Sequence, residues 1–111
     1  MARSYVPDAG DIVWVNFTPQ SGHEQAGHRP ALVLSPATYN SKTGLMICCP
    51  MTTQIKNYPF EVVIGGAPTS AVLADQVKSL DWRSRKATRK ATVSEEELAD
   101  VRAKLLALIG A

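Results

Sequence analysis

At 111 residues, 45% of them apolar and 20% charged, with a net charge of only +2, the chain is expected to fold as one domain spanning residues 1–111, and these proportions exclude a disordered polymer. Its apolar runs all fall well short of the roughly 20 residues a membrane-spanning helix needs, which excludes a helical membrane protein. The N-terminal MARSYVPDAGD holds no apolar segment of signal-peptide type, so the expected setting is cytoplasmic, with no membrane partner.

DIVWVNF (11–17) follows a glycine and is β-branched and aromatic, which predicts a first strand. A polar, glycine-bearing loop then delivers Glu24, His28 and Arg29 within six residues to a second apolar run, PALVLS (30–35). LMICCPM (45–51) is a third run, closed by Pro50 and followed by Thr52, Thr53 and Gln54. FEVVIG (60–65) and AVLAD (71–75) are separated by the turn-forming GGAPTS. QVKSLDW (76–82) alternates Val77, Ser79 and Asp81 with Lys78, Leu80 and Trp82, as a partly exposed strand does, and ATRKATV (87–93) reads as a short last strand. Ser94 with Glu97 three residues on is a capping-box pattern opening a C-terminal helix, whose Leu98, Val101, Leu105 and Leu108 form one apolar face and which Gly110 can end. Six or seven short strands followed by one helix predict a mainly β protein, a small barrel with an appended helix.

Charge distribution says more than net charge. Lys78, Arg83, Arg85, Lys86, Arg89 and Lys90 are six of the 12 basic residues, set against Asp81 alone. Such a stretch suits an anionic partner, and equally a solvated edge strand kept soluble by its charges. Cys48 and Cys49 are adjacent; in an extended strand they point to opposite faces, which suits two small buried hydrophobes and neither a disulfide nor a zinc site. His23 and His28 are too sparse for a metal centre, and no metal or other cofactor is expected.

No residue at the loop ends is specific alone. Together they suit a small basic-faced β domain that binds an anionic polymer, and metal-free RNA cleavage is the chemistry to weigh against them. RNA can be cut without a metal if its ribose 2′-OH attacks the adjacent phosphate. A base must take that proton, an acid must protonate the departing 5′ oxygen, and a cation with fixed donors must stabilise the phosphorane-like transition state. Arg29, at a loop-to-strand junction, has the planar fork for bidentate phosphate contacts; its ordinary alternative is a surface ion pair with Glu24. Thr52 ends a strand, where binding groups collect, although a threonine there is usually a turn residue. His28 and Glu24 are the titratable candidates. Asn16 and Phe17, with Lys56, Gln76 and Lys78, suit stacking and edge contacts to unpaired bases; Phe17 is by ordinary burial a core or lid residue.

The combination YVPDAGDIVWVNF, EQAGHRPALVLSP, a strand ending PMTTQ, YPFEV and LADQVKSLDWR closely resembles the MazF-type (MazF/PemK) toxins of bacterial type II toxin–antitoxin pairs, from Tyr5 into the C-terminal helix. That resemblance implies an SH3-like barrel with a C-terminal helix, working as a homodimer. It implies a metal-independent endoribonuclease that cuts single-stranded RNA, chiefly mRNA, at short sequences. The ends would be a 2′,3′-cyclic phosphate and a 5′-OH, with translation arrested. The family's essential arginine and threonine fall on Arg29 and Thr52, and Glu24 matches a position linked to activity. His28, Asn16, Phe17, Lys56, Gln76 and Lys78 are then the RNA-binding candidates. A free arginine, with a pKa above about 12, is a poor proton acceptor, so Arg29 is assigned to transition-state stabilisation. The resemblance also implies a cognate acidic, MazE-like antitoxin docking near Lys78–Lys90, with the 18–28 loop as a lid.

Two rivals remain on sequence alone. A gyrase-poisoning toxin of the same barrel type engages its target through a tryptophan near the C-terminus, whereas the last tryptophan here is Trp82. A non-catalytic RNA- or antitoxin-binding module would use the same surface.

Overall fold

The computed structural model describes residues 5–17, 27–66 and 68–110. Seven strands are described: β1 (Asp11–Asn16), β2 (His28–Val33), β3 (Leu45–Thr52), β4 (Glu61–Ile64), β5 (Ser70–Leu73), β6 (Lys78–Asp81) and β7 (Thr88–Thr92). A short helix, α1 (Ala37–Thr43), lies between β2 and β3, a 3-10 turn (Ala74–Gln76) follows β5, and the helix α2 (Glu95–Ile109) follows β7. The predicted strands and terminal helix are all present. The start of the sixth strand is not as predicted, since residues 74–76 coil before Lys78 resumes pairing.

Every pairing is antiparallel, in the order β4-β5-β3-β2-β1-β7. β3 pairs with β2 along one edge and shares its other edge between β6 (residues 45–48) and β5 (51–52). Along the path β6-β3-β2-β1-β7 the outermost strands are joined by residues 82–87 alone. A connection that short forces the sheet to curl until its edges approach each other. The end of β1 is held against that connection, Asn16 N–H donating to the Arg85 carbonyl (3.1 Å) and the Arg85 guanidinium donating back to the Asn16 carbonyl (3.0 Å).

Curling gives the sheet two cores, and this explains the unbroken apolar runs. One core holds Ile12, Leu32, Cys49, Met51, Val72 and Val101, the last from α2. The other holds Val13, Val15, Phe17, Ala31, Val33, Cys48, Leu80 and Trp82. Consecutive residues feed opposite cores because side chains alternate across the pleat, so Cys48 and Cys49 are both buried, back to back, as free thiols. Burial pushes both thiols up to about 12, with Cys49 adding to the effect at Cys48 and Asp75 at Cys49.

The capping box of α2 forms as predicted: Glu97 N–H donates to Ser94 Oγ (3.1 Å) and Ser94 N–H to Glu97 Oε1 (2.9 Å). Its expected apolar face is buried only in part. Val101 is fully buried and Leu98 packs on the first core, but Leu108 is 46% exposed.

Helix α1 was not predicted, because its stabilising partners are remote in sequence. Its first amide, Ala37 N–H, is capped by the Asp8 carboxylate (2.9 Å). The fully buried Asn40 donates to the carbonyls of Pro7 (2.8 Å) and Ser35 (3.0 Å) and accepts from Ser35 Oγ (2.6 Å), while its own carbonyl accepts Trp82 Nε1–H (2.8 Å). Gly44, at φ +74°, ends the helix in the left-handed region, donating to the Asn40 carbonyl.

Candidate active site

The β1–β2 ladder sets Val15 opposite Arg29 and Asn16 opposite His28. The β2–β3 ladder runs Val33 to Cys48, Leu32 to Cys49 and Ala31 to Pro50. Carried two residues beyond its last pair, that register sets Arg29 opposite Thr52. Both have the parity of Ala31 and Cys48, so the guanidinium and the hydroxyl share the sheet face of the second core. By that continued register the two predicted catalytic residues, 23 positions apart in sequence, fall on one face of neighbouring strands.

Arg29 is half-buried, and its buried Nε finds no hydrogen-bond partner among the described residues. An unpaired buried donor costs about 1–3 kcal/mol, a cost that an anionic oxygen at the site removes. Thr52, also half-buried, accepts the Gln54 N–H at its Oγ1 (3.0 Å), which orients the hydroxyl and leaves its proton to donate. Glu24, the candidate base, and most of the expected 18–28 lid lie outside the described residues. The neck of that segment is described: Phe17 N–H donates to the Gly27 carbonyl (2.8 Å).

The other predicted residues divide into three places. Phe17 is 4% exposed, in the second core, with the Lys78 ammonium 5.6 Å from its ring centroid; Lys78 is half-buried, opposite Cys48 on the β6–β3 ladder. Asn16 and His28 lie on the opposite sheet face from Arg29. There the exposed His28 ring is 5.7 Å from Trp14, whose other neighbour is the Lys90 ammonium at 5.5 Å. The pleat thus separates His28 from Arg29 although they are adjacent in sequence. Lys56 and Gln76 are exposed on a third region. The buried Glu61 carboxylate holds the Lys56 and Asn57 amides, and Gln76 closes the 3-10 turn after β5.

The basic stretch is less a free patch than a set of ties. Arg83 stacks 4.8 Å from the Trp82 ring and donates to the Ser41 carbonyl, Arg85 clamps Asn16, and Arg89 lies 3.9 Å from Asp11. Sequence reading counted these residues only as charge. It also gave no role to Trp14, Tyr58 and Asp75, whose partners lie on other elements. Among the described residues no group of three or more His, Cys, Asp and Glu side chains is placed to hold a metal ion.

A curled sheet with a C-terminal helix, carrying a guanidinium across from a threonine hydroxyl, defines a small half-barrel protein with a donor pair suited to a phosphate. The chain belongs to the PemK-like, MazF-like toxins of type II toxin–antitoxin systems, whose family model matches residues 8–109. It is 60% identical to the endoribonuclease toxin MazF of Escherichia coli K12 over 111 residues, 99% of this chain and all of the relative. It is 31% identical to the endoribonuclease PemK of E. coli, covering 92% of this chain and 81% of the relative. Its fold matches the crystal structure of MazF from Deinococcus radiodurans with a TM-score of 0.91 at 57% identity, covering 97% of this chain and 100% of that one. A MazE–MazF complex from the same organism matches at TM-score 0.86 and 51% identity, covering 96% and 98% of the two chains.

Proposed function

We propose that this protein is the endoribonuclease toxin of a type II toxin–antitoxin pair, cutting single-stranded RNA, chiefly mRNA, at short sequences without a metal ion and so arresting translation. The observation that carries the reading is that Arg29 and Thr52 share one sheet face by the continued β2–β3 register, with the buried Nε of Arg29 unpaired among the described residues. The relatives named as endoribonucleases support the same chemistry.

In the reaction the ribose 2′ oxygen bonds to phosphorus as the bond to the 5′ oxygen breaks. A base takes the 2′ proton, and an acid returns one to the leaving oxygen. The products are a 2′,3′-cyclic phosphate and a 5′-OH. Charge gathers on the non-bridging oxygens at the transition state, where Arg29 supplies two parallel N–H donors and Thr52 a hydroxyl proton. Glu24 is the proposed base, on the family resemblance. His28, on the other sheet face, serves RNA binding in this reading.

Trp82 speaks against gyrase poisoning. It is 6% exposed and bonded through Nε1 to the Asn40 carbonyl, which makes it a core strut.

The proposed partners are a second copy of the chain and an acidic, MazE-like antitoxin. For the first, α2 leaves Leu106, Leu108 and Ile109 exposed, and a groove of about 300 Å³ between α2 and the β2–β3 region is lined by Leu34, Ser35, Ile47, Arg102, Leu105 and Leu106. For the second, Arg83 and Lys86 flank a cleft of about 470 Å³ beside Trp82. A cytoplasmic setting and one domain over residues 1–111 complete the proposal; no described helix is long and apolar enough to cross a membrane.

The test is incubation with a long single-stranded RNA in excess EDTA, followed by end-group analysis, with Arg29→Ala alongside. Discrete fragments bearing cyclic phosphates, absent with the variant, support the proposal. Intact RNA from a folded wild-type protein on several sequences overturns it, and equal cutting by Arg29→Ala removes Arg29 from the chemistry.

A further inference from the structure

The segment from Thr53 to Phe60 begins one residue beyond Thr52 and has no regular structure, yet it is fastened at several points. The Glu61 carboxylate, buried at the start of β4, accepts the Lys56 N–H through both oxygens (3.0 and 3.2 Å) and the Asn57 N–H (2.8 Å). Asn57 turns through the left-handed region at φ +61°, which lets both successive amides face that one carboxylate. The Tyr58 hydroxyl then reaches across to the 3-10 turn and donates to both oxygens of Asp75, at 2.9 Å each. Backbone bonds complete the seam: Ala74 N–H donates to the Phe60 carbonyl (3.0 Å) and Glu61 N–H to the Tyr58 carbonyl (3.1 Å).

The consequence is local. The segment carrying the exposed Lys56 is tied, through Tyr58 and Asp75, to the turn whose last residue is the exposed Gln76. A hydrogen bond at the surface adds little to global stability, so its effect is to fix one segment against the other. The ammonium and the amide suit complementary parts of a single strand: Lys56 a backbone phosphate, Gln76 a base edge. Base reading needs the amide held at a set distance from the phosphate track, because phosphate contacts set the register in which bases are read.

We propose that Tyr58 and Asp75 are positioning residues for sequence preference, their hydroxyl–carboxylate latch holding the Lys56 segment, which follows Thr52 directly in the chain, and the Gln76 turn as one wall. This rests on the nuclease reading above. Tyr58 and Asp75 spend their polar atoms on each other, so in this proposal the latch acts on where the RNA is cut and how well it is held, not on the bond-breaking step.

The test compares wild type, Tyr58→Phe, Asp75→Ala and Asp75→Asn in two assays: sequencing of 5′-OH ends on a long RNA, and kinetics on a single-site oligonucleotide. Tyr58→Phe is expected to keep kcat within about twofold while raising KM about three- to tenfold, the scale of one hydrogen bond. Its cut spectrum is expected to broaden at one base beside the cleavage point. Asp75→Ala should match it, and a Tyr58→Phe, Asp75→Ala double variant made alongside should be no worse than either single one, since both remove the same bond. Asp75→Asn keeps an acceptor for the phenol and should restore the wild-type spectrum. A wild-type spectrum and KM for Tyr58→Phe overturns the proposal, whatever happens to thermal stability. So does a fall in kcat at all sites with preference unchanged, which would place the latch in the catalytic scaffold. Failure of the wild type to cut any RNA is a different result, and it removes the nuclease reading together with the latch.

Discussion

The Lys78 ammonium lies 5.6 Å from the centroid of the Phe17 ring, although β6 and β1 are separated in the sheet by β3 and β2. That contact spans the curl. It pins the end of β1, where the 18–26 segment leaves, to the strand that follows the 3-10 turn. It also places a half-buried cation on the same sheet face as Arg29 and Thr52. Lys78→Met keeps most of the stem that packs on the ring and removes the charge. The expected result is a cation–π loss of about 0.5–1 kcal/mol in thermal unfolding. RNA binding should weaken on all sequences alike, with the salt dependence of log K shallower by about 0.7, one charge's worth on a single strand. Titration at several salt concentrations checks this; an unchanged slope would remove Lys78 from the RNA track.

Arg29→Lys keeps the charge and loses the fork. If Arg29 and Thr52 grip the same phosphate, turnover should fall by about 10²–10³ with KM little changed, because the lost contacts form only as charge develops. Thr52→Val, nearly isosteric, should lose about 10- to 100-fold, and Thr52→Ser should retain most activity. Single-turnover kinetics on one oligonucleotide, with circular dichroism as a fold control, separates this from unfolding.

What the sequence discloses and what it hides follow from the range of the interactions. The strands of the double core were legible because each apolar run is fed by neighbours two residues apart, and the capping box of α2 because Ser94 and Glu97 are three apart. Helix α1 was not legible. Its cap, Asp8, lies 29 positions from Ala37, and its buried residue is a polar Asn40 satisfied by Pro7, Ser35 and Trp82. At the site, sequence named Arg29 and Thr52, but only the β2–β3 register, continued past Ala31 and Pro50, puts them on one face. The cluster of Glu24, His28 and Arg29 looked like one site in sequence. The pleat sends His28 toward Trp14 and Arg29 to the other face.

That dependence on distant partners makes α1 a sensitive point. Asn40→Ala strands the buried carbonyls of Pro7 and Ser35 together with the Ser35 hydroxyl, for an expected loss of about 2–4 kcal/mol. Asp8→Ala removes an exposed helix cap and should cost about 1 kcal/mol. Urea unfolding of both variants checks the ranking; an Asn40→Ala protein as stable as the wild type would show that the network is not worth its burial.

The exposed apolar side of α2 predicts the subunit contact. Ile47 and Leu106 both line the groove, at 38% and 46% exposure. Ile47→Asp with Leu106→Asp should give a folded monomer by light scattering, since a buried unpaired carboxylate opposes association strongly. A dimer that survives both changes puts the interface elsewhere.

The back-to-back thiols set the behaviour at high pH. Burial raises Cys48 and Cys49 from 9.0 to about 12 in the folded chain, and Lys78 and Arg85 offset this only partly at Cys48. Below pH 9 both states hold the protons, and the two thiols give stability no pH dependence. Between about pH 9 and 12 the unfolded chain releases protons that the folded chain keeps, so stability falls as pH rises, by up to about 1.4 kcal/mol per thiol per pH unit. Unfolding midpoints from pH 7 to 11 should decline in that window, and a Cys48→Ala, Cys49→Ala double variant should decline less steeply. The same burial predicts that a thiol reagent at pH 8 labels the native protein at the rate of its opening and the urea-unfolded protein at once. Fast labelling of the native state would mean that the strand carrying both cysteines, and with it Thr52, opens far more readily than its double burial allows.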